Sequence, residues 1–294
     1  SYFYRLTPWH NDPVSDPISD VLYLRDEESG ELWSATPAPL GEEIAHVVRH
    51  APGRSVFQHE HREIRSELTL GMVEGTAIRV SRLRVTNTGP AARRLSVTAY
   101  VEWTLGVLRE QTQHHVRTEF VAELNTILAR NPFDPQFANR VAFCALSEAV
   151  TSHTGDRLAF LGPNGTVAHP AALGGAPGSG LALVGRTGAG MDPCAALQCV
   201  VTLAPGETRD LVMLLGAASS EAEARTAVAT WATPTAASDA LGLSDATWAA
   251  RLSVVAVSTP EPSFDALLNR WLLYQTLACR LWARRSTPAT GGSQ

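Results

Sequence analysis

The chain has 294 residues, 45% of them hydrophobic and 18% charged, with a formal net charge of -5. That composition supports a sizeable core and excludes wholesale disorder, and its acidic balance lacks the basic footprint of a nucleic-acid binder. All 24 basic residues are Arg, which excludes lysine Schiff-base chemistry and a P-loop lysine, and no apolar run approaches the ~18 residues of a membrane span.

Ser1-Tyr2-Phe3-Tyr4-Arg5 shows no basic region followed by an apolar stretch, so no signal peptide is read there. The missing initiator Met suggests a start cut from something longer. At ~150 residues per domain the length allows about two domains, or one large all-β domain. Asn11-Asp12-Pro13-Val14-Ser15-Asp16-Pro17 carries Asx-turn chemistry and reads as a loop folding back on itself. Trp9, Trp33 and Trp103 stand beside loops with polar neighbours. An aromatic ring next to donors and acceptors suits a sugar face as well as a core.

Most of the chain reads as β. His59-Glu60-His61 places both imidazoles on one side of a strand, with no third metal ligand evident. Ile78-Arg79-Val80 and Leu83-Arg84-Val85 alternate in different phases, which predicts a bulge near Ser81-Arg82. Asn87-Thr88-Gly89-Pro90 ends that strand. Leu95, Val97, Ala99 and Val101 face a core, with Ser96, Thr98 and Tyr100 opposite. His114-His115 would point opposite ways on a strand. Further strands are expected at Val141–Leu146, Ala195–Leu203, Leu211–Gly216 and Leu252–Val257, with Ala204-Pro205-Gly206-Glu207 as a hairpin connection. Gly53, Gly71, Gly75, Gly89, Gly155, Gly162 and Gly165 are read as turn signals. Many strands without intervening helices imply an antiparallel sandwich or barrel.

Ser220–Trp231 reads as a helix capped by Ser220. Pro234–Ser244 reads as turn-like, with a second short helix from Asp245. After Pro260-Glu261-Pro262, Ser263 is expected to cap a long helix on which Phe264, Leu267, Leu268, Trp271, Gln275, Ala278 and Trp282 form a stripe. The stripe predicts packing on something large, a second copy of the chain included. Cys144, Cys194, Cys199 and Cys279 match no zinc spacing or disulfide framework, and read as reduced, mostly buried thiols of a cytoplasmic protein.

Several blocks carry a family resemblance. Leu6-Thr7-Pro8-Trp9 through Pro17, Tyr23-Leu24-Arg25-Asp26 and Gly30-Glu31-Leu32-Trp33 resemble the opening of the phosphorylase-like part of cyclic β-1,2-glucan synthases. The resemblance continues through Val48-Arg49-His50, Arg93–Trp103, Ala129-Arg130-Asn131-Pro132, Gly155-Asp156-Arg157, Gly190–Gln198 and Leu268–Arg280. The wider family is glycoside hydrolase family 94, formerly glycosyltransferase family 36, which includes cellobiose and chitobiose phosphorylases. It implies a mainly β fold: a large antiparallel β-sandwich of the galactose-mutarotase-like supersandwich type over 1–258, a helical linker over 259–285, and a flexible tail over 286–294. In the family an (α/α)6 barrel follows and holds the general-acid Asp, and inorganic phosphate is a substrate of an inverting reaction. Beyond Trp282-Ala283-Arg284 this chain departs from the family pattern, and no residue matches that acid.

The resemblance therefore implies a non-catalytic domain that supports the missing barrel, shapes the active-site rim and makes oligomer contacts, with no cofactor or metal. The isolated chain is expected to be inactive and to bind β-glucan oligosaccharides weakly. Its candidate carbohydrate contacts are Trp9, Arg49, His50, Arg54 and Trp103. Relatives tend to carry Gly-Tyr where this chain has Gly53-Arg54, so a fork of donors replaces a stacking ring. The alternatives are a free-standing carbohydrate-binding module and a mutarotase-like enzyme, the latter requiring a His and a carboxylate on one sheet face.

Overall fold

A computed structural model describes residues 4–9, 14, 18–41 and 45–282, with side chains as far as Cys279. Most of the Asn11–Pro17 loop and the tail after 282 lie outside the described residues. In chain order the strands are β1 Asp20–Asp26, β2 Leu32–Ser34, β3 Val47–Ala51, β4 Arg54–His61, β5 Ile64–Met72, β6 Ile78–Asn87 and β7 Arg93–Glu102. They continue with β8 Arg117–Val121, β9 Thr126–Arg130, β10 Val141–Leu146, β11 Ser152–Asp156, β12 Pro193–Leu203 and β13 Thr208–Ala218. Four helices matter here: α1 Arg109–Thr112, α2 Arg157–Leu161, α3 Glu221–Trp231 and α4 Pro234–Leu252.

The strands form two antiparallel sheets, ordered β11-β12-β7-β1-β2 and β3-β4-β5-β6-β13-β10-β9-β8. Leu24, Val97, Val101 and Leu197 of the first meet Ile64, Leu68, Leu83, Ile127 and Leu215 of the second in the main core. This is the expected sandwich. Both sheets are also covered outside. Tyr23 and Tyr100 pack under Phe160, Leu161 and Leu173, from the long excursion between β11 and β12. Val80, Phe143 and Leu214 pack under Ala224, Val228, Ala237 and Leu241 of α3 and α4.

Two-sided burial corrects the expected bulge. β6 keeps unbroken register with β5 and with β13. Ile78 and Val80 lie under the helices, whereas Leu83 and Val85 enter the main core. The change of phase is a change of buried face on a continuous strand. The Ala204–Glu207 turn is corrected too: β12 and β13 belong to different sheets, so it is a corner and not a paired hairpin. Buried Asn87 ties this corner to the neighbouring one. Its side-chain amide donates to Ala91 O at 2.7 Å and Leu203 O at 3.0 Å, while its oxygen accepts from Gly89 N at 3.0 Å.

Ser220 caps α3 as expected, accepting from Glu223 N. Pro234–Ser244 is not a turn: α4 runs unbroken to Leu252, with Thr233 accepting from Ala236 N and Pro at its start. The strand expected at Leu252–Val257 is therefore absent; that stretch is the end of α4 and the loop after it. Gly71 and Gly155 sit within strands, and His114-His115 lies in a turn. The terminal helix, 262–282, begins at Pro262 with Glu261 rather than Ser263 as its cap, and contains π turns at Leu267–Leu272 and Thr276–Trp282. Cys144, Cys194 and Cys199 are buried, and Cys279 is exposed. Among the described residues no helix is long and apolar enough to cross a membrane.

Candidate functional site

The Asn87 corners close one end of the sandwich. At the other end, an ion pair between Arg79 of β6 and Asp20 of β1 joins the two sheets. The β3–β4 turn, the β5–β6 connection, the end of β7 and the start of β12 all emerge at that end.

Helix α4 lies tightly against this end. Its buried face is Ala237, Ala240, Leu241, Ser244, Trp248 and Leu252, at helical spacing. A Cβ on Gly71 would stand 2.4 Å from Leu241 Cδ2, and one on Gly53 would stand 2.2 Å from Trp248 Nε1. Gly53 also has φ +73°, which favours glycine in the turn. Between the β3–β4 turn, residues 73–76, α4 and Tyr274 of the terminal helix lies a cleft of ≈ 660 Å³. Three arginines line it, each paired to a carboxylate from another element. Arg54 meets Asp245 at 2.5 Å, Arg251 meets Glu74 at 2.5 Å, and Arg79 meets Asp20. The Tyr274 ring lies 4.8 Å from that of Trp248, and the Arg251 guanidinium is 5.5 Å from the Trp248 ring.

The same end carries a closed ion network. Arg109 pairs with Glu102 at 2.7 Å and also with Asp192; Arg157 pairs with Glu102 at 3.1 Å and Asp192 at 3.3 Å. Burial works against the Arg157 charge, but Glu102, Tyr100 and Asp192 outweigh it and hold its pKa above the ordinary value. Blocks that carry the family resemblance, Glu102-Trp103, Asp156-Arg157 and Asp192-Pro193, converge here. Trp9 is nearby in the chain path: it is 60% exposed, with the Arg5 guanidinium 5.0 Å from its ring, and Arg5 bridges Gly106.

The expected contact residues divide. Arg54 lines the cleft and Trp9 is open to solvent. Arg49 and His50 are exposed on edge strand β3, where Arg49 donates to Gln58 and His50 Nδ1 lies 2.9 Å from Ser55 Oγ. Trp103 is a correction: it is 0% exposed, its ring held in the main core beyond β7, and presents no surface to a sugar. Trp33 is likewise buried, stacked on His61 at 4.8 Å.

His59 and His61 share the inward side of β4, as expected of alternate residues. His59 stacks on His46 at 4.0 Å. Burial, then the charges of His46 and His61, lower its pKa to about 4. Among the described residues no group of three or more His, Cys, Asp or Glu is placed to hold a metal. The outward side of the same sheet carries a polar row in register, Gln58, Glu67, Arg84 and Asp210. Arg84 grips Asp210 through two bonds of 3.1 Å. Burial raises the Asp210 pKa, but the bonds and charges of Arg84 and Arg82 outweigh it and hold the carboxyl below its ordinary value. The β4 histidines lie on the opposite side from this row, and His61 Nε2 is 3.4 Å from Glu31 Oε2.

Sequence reasoning missed Trp248, Arg251, Tyr274 and Glu74. The Trp248–Arg251 spacing of three on the helix expected from Asp245 was the available signal, but the sequence did not place it beside Glu74 and Tyr274.

Comparison with known proteins fits this architecture. The family model for the glycosyl hydrolase 94 supersandwich domain matches residues 1–234. The chain is 32% identical over 291 residues to a cyclic beta-(1,2)-glucan synthase of Rhizobium meliloti (strain 1021), covering 99% of this chain and 10% of that protein. It is 27% identical over 287 residues to an N,N'-diacetylchitobiose phosphorylase of Vibrio furnissii, covering 95% and 35%. Among solved structures, a bacterial glucoamylase complexed with acarbose aligns over 91% of this chain and 32% of that one, at 8% identity and a TM-score of 0.42. The chain thus spans about a tenth of the length of the synthase and about a third of that of the phosphorylase. With two covered antiparallel sheets and a family match over 1–234, the chain belongs to glycosyl hydrolase family 94 and contains its supersandwich domain.

Proposed function

We propose that this chain is the non-catalytic N-terminal part of a glucan-processing phosphorylase or cyclic β-1,2-glucan synthase-like protein. In this reading residues 1–258 form the supersandwich body and 259–285 link it to a catalytic (α/α)6 barrel. The body supports that barrel and contributes Trp9, Arg49, His50 and Arg54 to a rim that touches β-glucan weakly. Inorganic phosphate is a substrate of the complete enzyme, and no cofactor is required.

The observation that carries the reading is the terminal helix. One side is held: Tyr274 packs on Trp248, and Asn269 exchanges two 2.7 Å bonds with the Val257 backbone. The rest presents Phe264, Leu267, Trp271 and Leu272, each 38–48% exposed. Burying such side chains gains ~1.5–3 kcal/mol each when complete, and a contiguous patch of this kind marks an interaction face. A barrel continuing from this helix covers that face; a second copy of the chain is the competing occupant.

Activity tests the reading. The homogeneous 294-residue chain, given β-1,2-glucooligosaccharides and phosphate, should release no glucose 1-phosphate, because the general acid and the phosphate pocket are missing. Glucose 1-phosphate that tracks the purified protein overturns it.

A further inference from the structure

We infer that the cleft between the β3–β4 turn and α4 is a binding site for a neutral glucose oligosaccharide. The inference rests on the reading above for the identity of the sugar, and on the cleft itself for the rest. At ≈ 660 Å³ the cleft falls within the range of small-ligand sites. Its lining combines an aromatic wall with fixed hydrogen-bonding groups, the combination that suits a pyranose ring and its hydroxyls.

The charges decide the ligand class. Arg54, Arg79 and Arg251 are each neutralised by a carboxylate, from α4, β1 and the β5–β6 connection respectively. An anion entering the cleft meets Glu74 in its wall and arginines whose charge is already matched by Asp245, Asp20 and Glu74, so its charge gains little. A polyol needs no net charge. It can accept from the guanidinium N–H groups of Arg54 and Arg79 and donate to carboxylate oxygens. The ion pairs fix these groups in advance, which lowers the ordering cost of binding. Tyr274 is half-buried and backed by Trp248, so its ring is held for a sugar without having to be ordered. Trp248 can sit there only because Gly53 has no side chain.

The site also spans the sandwich, α4 and the terminal helix. A sugar bound in it contacts all three and steadies the helix that leads out of the domain.

The test is a titration of the intact chain with sophorose, linear β-1,2-glucopentaose and inorganic phosphate, followed by calorimetry and by tryptophan fluorescence. Saturable binding of the pentaose in the millimolar range is expected, with none of phosphate. Arg54→Met and Tyr274→Ala are each expected to weaken it about tenfold, with melting and circular dichroism reporting whether each remains folded. Arg209→Ala, at the opposite end of the sandwich, should leave affinity within about twofold. Pentaose binding that both folded variants retain overturns this site while leaving the glucan reading intact. Absence of sugar binding, or binding of phosphate instead, overturns the inference, and the glucose 1-phosphate assay judges the domain reading separately.

Discussion

Gly53→Ala probes how the cleft is built. Two costs coincide at this position. The backbone has φ +73°, where a residue with a Cβ costs ~1 kcal/mol or more. The new Cβ would also meet Trp248 Nε1 at 2.2 Å and Cδ1 at 2.4 Å. Trp248 is 5% exposed and cannot swing freely into solvent, so α4 or the turn must shift, at about 1–3 kcal/mol for overpacking. The sum is ~2–4 kcal/mol. Gly75→Ala separates the two costs, because Gly75 has φ +74° but nothing within 4 Å of the point where its methyl would stand. That variant should lose only the backbone cost, ~1 kcal/mol. Urea unfolding followed by tryptophan fluorescence measures both, provided the slope with denaturant is unchanged. Equal losses in the two variants would refute the close contact between α4 and the turn, and with it the proposed wall of the cleft.

Other consequences follow from single residues. His59 has a folded pKa of about 4 against an ordinary 6.5, so the fold favours neutral imidazole. Its stabilisation is complete above the ordinary pKa and is lost as pH falls through the interval toward 4, by about 3 kcal/mol at most. His59→Leu should flatten that part of the stability–pH curve; a variant with the wild-type slope contradicts the assignment. Asn87→Ala strands the Leu203 and Ala91 carbonyls and the Gly89 N–H, costing about 2–4 kcal/mol in urea unfolding, and a loss below ~0.5 kcal/mol would show that the corners do not depend on it. Trp103→Ala should cost about 3–5 kcal/mol, whereas exposed Trp9→Ala should stay within ~0.5 kcal/mol; thermal melts that reverse this order would return Trp103 to the surface.

Much of the β framework was legible because period-two alternation directly encodes a half-buried strand. Val141–Leu146 matches β10 in full, and Ser220 is the cap of α3. Alternation fails where both faces are buried, and the phase change in β6 then imitates a bulge. Turn residues encode a reversal but not the partner that follows, so Ala204–Glu207 looked like a hairpin although it changes sheets. The first half of helix α4 was hidden because it buries Ala237, Ala240 and Ser244. Small residues give no strong apolar stripe, yet they let the helix approach Gly71 closely. At the candidate site Arg54 was legible through the family resemblance, at the position where relatives tend to carry Tyr. Trp248 and Tyr274 were not, because they meet only once two helices and a distant hairpin are packed. The three tryptophans beside polar neighbours, Trp9, Trp33 and Trp103, look alike in sequence; only the tertiary fold sends the first outward and the other two into the core.

The central claim is that this chain is a supporting domain for catalysis carried out elsewhere. Exchange into a relative measures it most directly: the segment of the Rhizobium meliloti synthase that matches this chain over 291 residues is deleted or replaced by it, and cyclic glucan synthesis is measured. The account expects synthesis to be lost on deletion, restored in part by this chain, and lost again when Phe264 and Trp271 are changed to Ser. Full synthesis by the deletion, or a soluble exchange protein no better than the deletion, would contradict it.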